Sequence, residues 1–351
     1  FSFPTSEDNI MVVAGFEHRI EKYKRQSDAV FEQTGGTSLL GQGGPRPSIV
    51  GQYTVQELFA EANIPLVSGM EGAQHLNLDL AYRYSDYSTA GDTSTYRIGL
   101  DWQPIEMVRV RMGFNHAVRA PNVAELFSPQ SIGLWSGTDP CANEEGGAPE
   151  YTAAQCANMG VTAGQYGNIT ASPPGQYNAI VGGNPDLEPE AADTVTLGVV
   201  FTPMDNMQIS VDYWAIQIED TISNIGSPTI LEQCGLYGVL CENVTRNQSG
   251  NLWQGTSGYV SDTTLNLGER DWEGMDFAFN WGTPALGGMW NVDMIGTYLM
   301  NKEYTPLPAD PTSAYDCVGL ASTRCFPSPE WRHTATAGYD SEEWWSVLLR
   351  W

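Results

Sequence analysis

Apolar and polar side chains alternate along residues 76 to 84. Leu76, Leu78, Leu80, Tyr82 and Tyr84 share one face, and Asn77, Asp79, Ala81, Arg83 and Ser85 the other. Successive side chains of an extended chain point to opposite sides, so this is a strand with one apolar face and one polar face. Tyr96, Ile98, Leu100 and Trp102 alternate in the same way with Arg97, Gly99 and Asp101. Val108, Val110, Met112 and Phe114 alternate with Arg109, Arg111, Gly113 and Asn115, and Met275, Phe277, Phe279 and Trp281 with Asp276, Ala278 and Asn280. Trp345, Val347, Leu349 and Trp351 repeat the pattern. Eleven such strands are predicted, near residues 9–24, 53–64, 73–87, 94–103, 107–118, 190–202, 207–222, 271–283, 289–302, 331–340 and 344–351.

The connections separate a soluble sheet from a membrane one. Short links, at Gln103–Glu106, Thr202–Asn206, Thr283–Gly288 and Asp340–Glu343, are rich in the Pro, Gly and Asx residues of tight turns. Long links, roughly 25–52, 119–189, 223–270 and 303–330, fall on the opposite side of every hairpin, where only the turn around Ser88–Thr93 is short. Short turns at one end and long loops at the other are the layout of an antiparallel up-and-down transmembrane β-barrel. Its polar face lines an aqueous lumen, and its long loops are expected to be structureless. Tyr82 and Tyr84 at one level, with Trp102, Phe201 and Trp281 at the other, suit the two interfacial girdles. No run of 18 apolar residues exists, so a membrane-spanning helix is excluded.

The net charge of −26, from 42 acidic and 16 basic residues, repels phosphate backbones and argues against a nucleic-acid partner. No Lys, Arg or His occurs between Ala120 and Val244. Such acidic loops are solvated surface, with a divalent-cation site or a mouth for cationic ligands as the sharper alternative. The cysteines form three close pairs, Cys141 with Cys156, Cys234 with Cys241 and Cys317 with Cys325, each inside one long loop. Local disulfides are the simplest pairing and imply an oxidising compartment. A zinc site is the rival, but there is no CxxC and the four histidines are scattered along predicted strands. No P-loop, HExxH, G-x-S-x-G or dinucleotide fingerprint is present, and no enzymatic role is expected.

Two segments carry a resemblance. Phe114-Asn-His-Ala-Val-Arg119-Ala-Pro121-Asn122-Val-Ala-Glu125-Leu126-Phe127-Ser-Pro129 resembles the strand-to-loop signature of TonB-dependent outer-membrane receptors. Gly183-Asn184-Pro185-Asp-Leu187-Glu-Pro189-Glu190, running into Thr194–Gly198, resembles the family segment that returns to the barrel after the next long loop. From the residues themselves, Pro121 ends a strand, Arg119 stands at a lumen rim within reach of Glu125 or a neighbouring carboxylate, and Pro185 and Pro189 stiffen the chain before the next strand.

The resemblance implies a bacterial outer-membrane barrel of twenty-two strands filled by a plug domain. It also implies a short N-terminal segment that engages the TonB complex and so couples uptake to the proton motive force. Eleven strands are half of that barrel, so residues 1–351 are expected to be the barrel portion of a longer protein, with the plug and the TonB-contacting segment outside them. The function expected is energy-coupled import of a scarce nutrient, an oligosaccharide, a metal chelate or a similar small molecule, by a protein bathed in outer-membrane lipid. Trp135, Trp253 and Tyr259 are the candidate substrate contacts. The scarcity of basic loop residues weighs against a strongly anionic ferric siderophore. The alternatives are a passive porin-like barrel, a secreted carbohydrate-binding β-sandwich and, more remotely, a glycosidase.

Overall fold

The structure is a computed structural model and describes residues 1–32, 44–144, 147–307, 310, 313–322, 324–341 and 344–351. Parts of the long links 25–52, 119–189 and 303–330, and residues 342–343 of a predicted short turn, lie outside the described residues.

The first five strands are β1 (Met11–Arg25), β2 (Ile49–Met70), β3 (Ala73–Tyr87), β4 (Gly91–Ile105) and β5 (Val108–Arg119). A long connection then carries α1 (Val123–Phe127), β6 (Ser131–Ser136), α2 (Ala153–Asn158) and β7 (Gln176–Val181). β8 (Glu190–Met204) and β9 (Met207–Glu219) form the next hairpin. The connection after it holds β10 (Ile222–Ser223), α3 (Ser227–Tyr237), β11 (Val244–Thr245), β12 (Tyr259–Ser261) and β13 (Leu265–Asn266). The remaining strands are β14 (Glu269–Pro284), β15 (Gly288–Thr305), β16 (Tyr315–Asp316), β17 (Trp331–Ser341) and β18 (Ser346–Arg350).

All eleven predicted strands are present in one antiparallel sheet, in the order β1-β2-β3-β4-β5-β8-β9-β14-β15-β17-β18, with β16 added to β15. Short and long connections alternate as expected. β2 differs most from its predicted range: it runs through Pro65 to Met70. Proline cannot donate to the ladder, and a register shift between Pro65 and Val67 accommodates it and restores pairing with β3.

The register fixes the two faces. Leu78, Leu100, Met112, Leu197, Tyr213, Met275, Tyr298 and Trp331 stand side by side across eight strands. Many apolar residues of this face are exposed, Ile98, Met112, Val195, Leu197 and Val199 among them. Among the described residues no second sheet packs over it, so the β-sandwich alternative does not describe this fold. The neighbouring row, one residue along, is Asn77, Asp101, Arg111, Gly198, Asp212, Asp276, Thr297 and Arg332. Here Arg111 reaches across Gly198 to Asp212, with Nη2 2.6 Å from Oδ1. A Cβ at Gly198 would collide with that carboxylate. Near the outer end of the apolar face Tyr96 stacks on His116 at 5.1 Å, and the His116 Nδ1 lies 2.6 Å from Asp193 Oδ1. At the other end Trp102 donates its indole N–H to the Gly72 carbonyl.

The long loops are not structureless. Segments of the two longest, which follow β5 and β9, interleave into a module with its own core of Cys141, Cys156, Met159, Ile169, Tyr177, Ile230, Leu231, Cys234, Leu252 and Val260. A four-stranded sheet, β11-β12-β7-β6, forms one layer, and β12 and β7 run parallel although they come from different loops. α2 starts with a capping box between Thr152 and Gln155, and α3 ends on Gly238 in the left-handed region. The bridges Cys141–Cys156, Cys234–Cys241 and Cys317–Cys325 are all formed, in the predicted pairing. The hydrophobic core of this chain therefore sits above the sheet, inside its loops.

Candidate functional site

The site begins where β5 ends. Arg119 lies on the inner face with Arg111 and Asn115, and its register partner is Glu190, the first residue of β8. Its Nε lies 2.6 Å from Glu190 Oε1 and its Nη1 3.0 Å from Glu125 Oε2, so one guanidinium joins two carboxylates. Each carboxylate also holds a backbone group. Glu125 accepts the Asn122 N–H at 2.8 Å, and Glu190 accepts the Ile222 N–H at 2.9 Å. Asn122 completes the capping box of α1 by accepting the N–H groups of Ala124 and Glu125.

α1 turns back over the inner face of β2. A Cβ at Gly51 would collide with Phe127 and Val123, so glycine lets the helix lie against the wall. Leu126 and Leu187 are buried together with Ile222, with Tyr53 and Phe127 packed against them. The Asn184 N–H donates to the Glu125 carbonyl at 2.8 Å, and the Asn184 side chain accepts the Asp186 N–H. Pro121 is buried, while Pro185 and Pro189 flank buried Leu187. The two sequence segments, separated by a long loop, thus meet at one rim.

Above the rim, the loop module is stitched by one buried ion pair. Arg246 from the second loop grips Asp139 from the first through two contacts of 2.7 and 2.8 Å, and donates to the Gly250 and Met159 carbonyls. Both side chains are almost fully buried, 2% and 0% exposed.

Between rim and module lies an open cleft of about 430 Å³. Asn122, Glu125 and Ser128 line its rim side, and Trp135, Ser227 and Asp262 its module side. Asp262 is buried and accepts hydrogen bonds from the Gly226 N–H and the Ser227 hydroxyl, both at 3.1 Å. Burial pushes its carboxyl above the usual aspartate range, and these donors only partly offset that.

Of the candidate substrate contacts, Trp135 stacks on Tyr177 at 4.9 Å and donates its indole N–H to the Asn178 carbonyl. Trp253 packs against the module core and donates to the Thr170 carbonyl. Tyr259 opens β12 opposite Thr245. Only Trp135 lines the cleft. Asp139, Arg246 and Asp262 were missed by the sequence reading. Among the described residues no group of three or more His, Cys, Asp or Glu comes together as a metal site.

A family model described as TonB dependent receptor-like, beta-barrel, matches residues 6–351. The chain belongs to the TonB-dependent receptor family. Solved structures agree on the fold. The ferric enterobactin receptor PfeA of Pseudomonas aeruginosa is similar at 16% identity and a TM-score of 0.55, over 97% of this chain and 38% of that one. The siderophore receptor PirA of Acinetobacter baumannii is similar at 15% identity and a TM-score of 0.56, over 100% of this chain and 40% of that one. The chain thus spans about two fifths of the length of these structures. No curated protein matches it in sequence. TonB-dependent receptors are outer-membrane β-barrels of Gram-negative bacteria that bind small-molecule ligands and interact with TonB; they are transporters and receptors rather than enzymes. In this TonB-dependent receptor the apolar face of the sheet meets lipid and the polar face the lumen.

Proposed function

We propose that residues 1–351 form barrel wall and outer loops of a ligand-gated importer, driven through TonB and completed by a plug domain supplied from outside these residues. The match of residues 6–351 to the TonB-dependent receptor barrel carries this reading. The rim and cleft support it. A receptor must hold its ligand at the outer mouth before the path opens, and the cleft lies between the stapled loops and a helix packed on the inner wall. In this reading the residues Arg119, Glu125 and Glu190 shape that mouth by fixing α1 and the start of β8, rather than by touching ligand. The charge of the loops limits the cargo. The only cation in the stretch from Ala120 to Gly268 is Arg246, and Asp139 holds it in the core. A strongly anionic ferric chelate therefore finds no free Lys or Arg on these two loops.

The test is growth of the source bacterium on single scarce nutrients. The gene is disrupted in one strain and TonB in another. Growth on the transported nutrient should fall in both strains to the same extent. Growth that depends on the gene but persists without TonB would instead establish a passive barrel.

A further inference from the structure

We propose that the β14–β15 turn is a lipid anchor. Tyr339 clamps the turn to the lipid-facing surface, and the Leu286 side chain enters the boundary between headgroups and acyl chains of the periplasmic phospholipid leaflet.

Leu286 is ill suited to a turn in water. Its φ is +58° and that of Gly287 +75°, and the Ala285 N–H donates to the Gly288 carbonyl. Two central residues at positive φ make a hairpin turn that usually takes Asn-Gly, because a residue with a Cβ is strained there. Leucine accepts that strain and is nevertheless 86% exposed. The exposure is not that of a sheet edge, since β14 pairs with β9 and β15 with β17. The surrounding sequence is also free of charge. No Asp, Glu, Lys or Arg occurs from Phe277 to Val292, whereas the other short links at this end carry Glu71, Glu106, Asp205 and Asp340.

The clamp comes from the lipid-facing side. Trp290 and Tyr339 are opposed in the ladder, on the face that carries Met294, Tyr298 and Trp331. The Trp290, Tyr339 and Trp345 rings follow one another with centroids 5.0 and 5.1 Å apart. From this row the Tyr339 hydroxyl donates to the Leu286 carbonyl at 2.9 Å. A Cβ at Gly288 would lie 2.6 Å from the Tyr339 Cζ, so glycine there lets the ring cross the turn. A tyrosine with an apolar ring and a polar tip suits a membrane–water boundary. The turn is therefore continuous with a surface that already meets lipid, and this favours lipid over a protein partner as its cover. Short turns of outer-membrane barrels face the periplasm, so the lipid is the phospholipid of that leaflet.

Photo-crosslinking and unfolding of the full-length protein test this. With photoreactive benzoylphenylalanine in place of Leu286, illumination of native outer membranes should give an adduct of phospholipid mass. Adding Tyr339→Phe, which keeps the ring and removes the hydroxyl, should lower the yield by about half or more, since one hydrogen bond holds the turn. Unfolding by denaturant is then measured in phosphatidylcholine vesicles. Leu286→Ala keeps the strained backbone and shortens the side chain, and it should raise the unfolding constant about tenfold, as the loss of about two buried CH₂ groups does. A side chain in water would leave that constant unchanged. An unchanged constant, the absence of a lipid adduct, adducts to protein alone, or an undiminished yield in Tyr339→Phe would each overturn the assignment.

Discussion

At the scale of single residues, the polar groups that matter are those the loops take out of water. Asp262 is the clearest. Its carboxyl is raised by burial, so the folded chain holds the proton more tightly than the unfolded chain. The stability linked to that proton is full below the unfolded value of about 4. It is lost as pH rises through the higher folded value. Asp262→Asn keeps the shape and removes the titration. Hydrogen exchange at Gly226 and Ser227 should be equal in parent and variant below about pH 4, and should speed up in the parent relative to the variant as the pH is raised from there. None of this was legible in the sequence, where Asp262 is one acidic residue among 42. Arg246 was more legible. It is the first cation after a stretch from Ala120 to Thr245 without one, and a lone arginine in acidic surroundings implies a partner. The Asn122-x-x-Glu125 capping box was also readable and marks α1.

At the scale of elements, strands and loops differ in how far sequence reveals them. A wall strand must present one face to lipid along its whole length, so its period of two is strict and all eleven strands were found. The predicted range of β2 ends at residue 64, just before Pro65, and only the three-dimensional pairing with β3 shows the bulge that absorbs the proline. The loop module has no such period. Its strands are two to six residues long, and its core draws on two loops that are remote in sequence. The cysteine spacing did give the three bridges, because each closes a local loop. The Asp139–Arg246 pair joins the two loops into one body. Arg246→Ala leaves Asp139 buried without a counter-charge, a change that costs about 3–5 kcal/mol. Limited proteolysis under non-reducing conditions should cut the variant's loops 120–189 and 220–268 faster while the barrel strands stay intact. Equal protection of loops in variant and parent would show that the shared core and the β12–β7 pairing hold the module without the ion pair.

At the scale of the whole molecule, the chain is a wall with a lid of folded loops. The wall's outward row from Leu78 to Trp331 is apolar, and the row beside it carries Asp101, Arg111, Asp212, Asp276 and Arg332. A soluble sheet cannot leave the first row bare, and a lipid-facing sheet cannot bear the second row outward. The orientation of the rim, the cleft and the loops depends on this division. Two adjacent positions on β8 test it: Leu197 on the outward face and Thr196 on the inner one. Full-length variants Leu197→Arg and Thr196→Arg are folded into phospholipid vesicles and unfolded with denaturant. Leu197→Arg should cost about 2–4 kcal/mol, the penalty for arginine facing lipid near the midplane, while Thr196→Arg should cost less than about 1 kcal/mol. Equal costs, or a larger cost at Thr196, would contradict the assignment of faces.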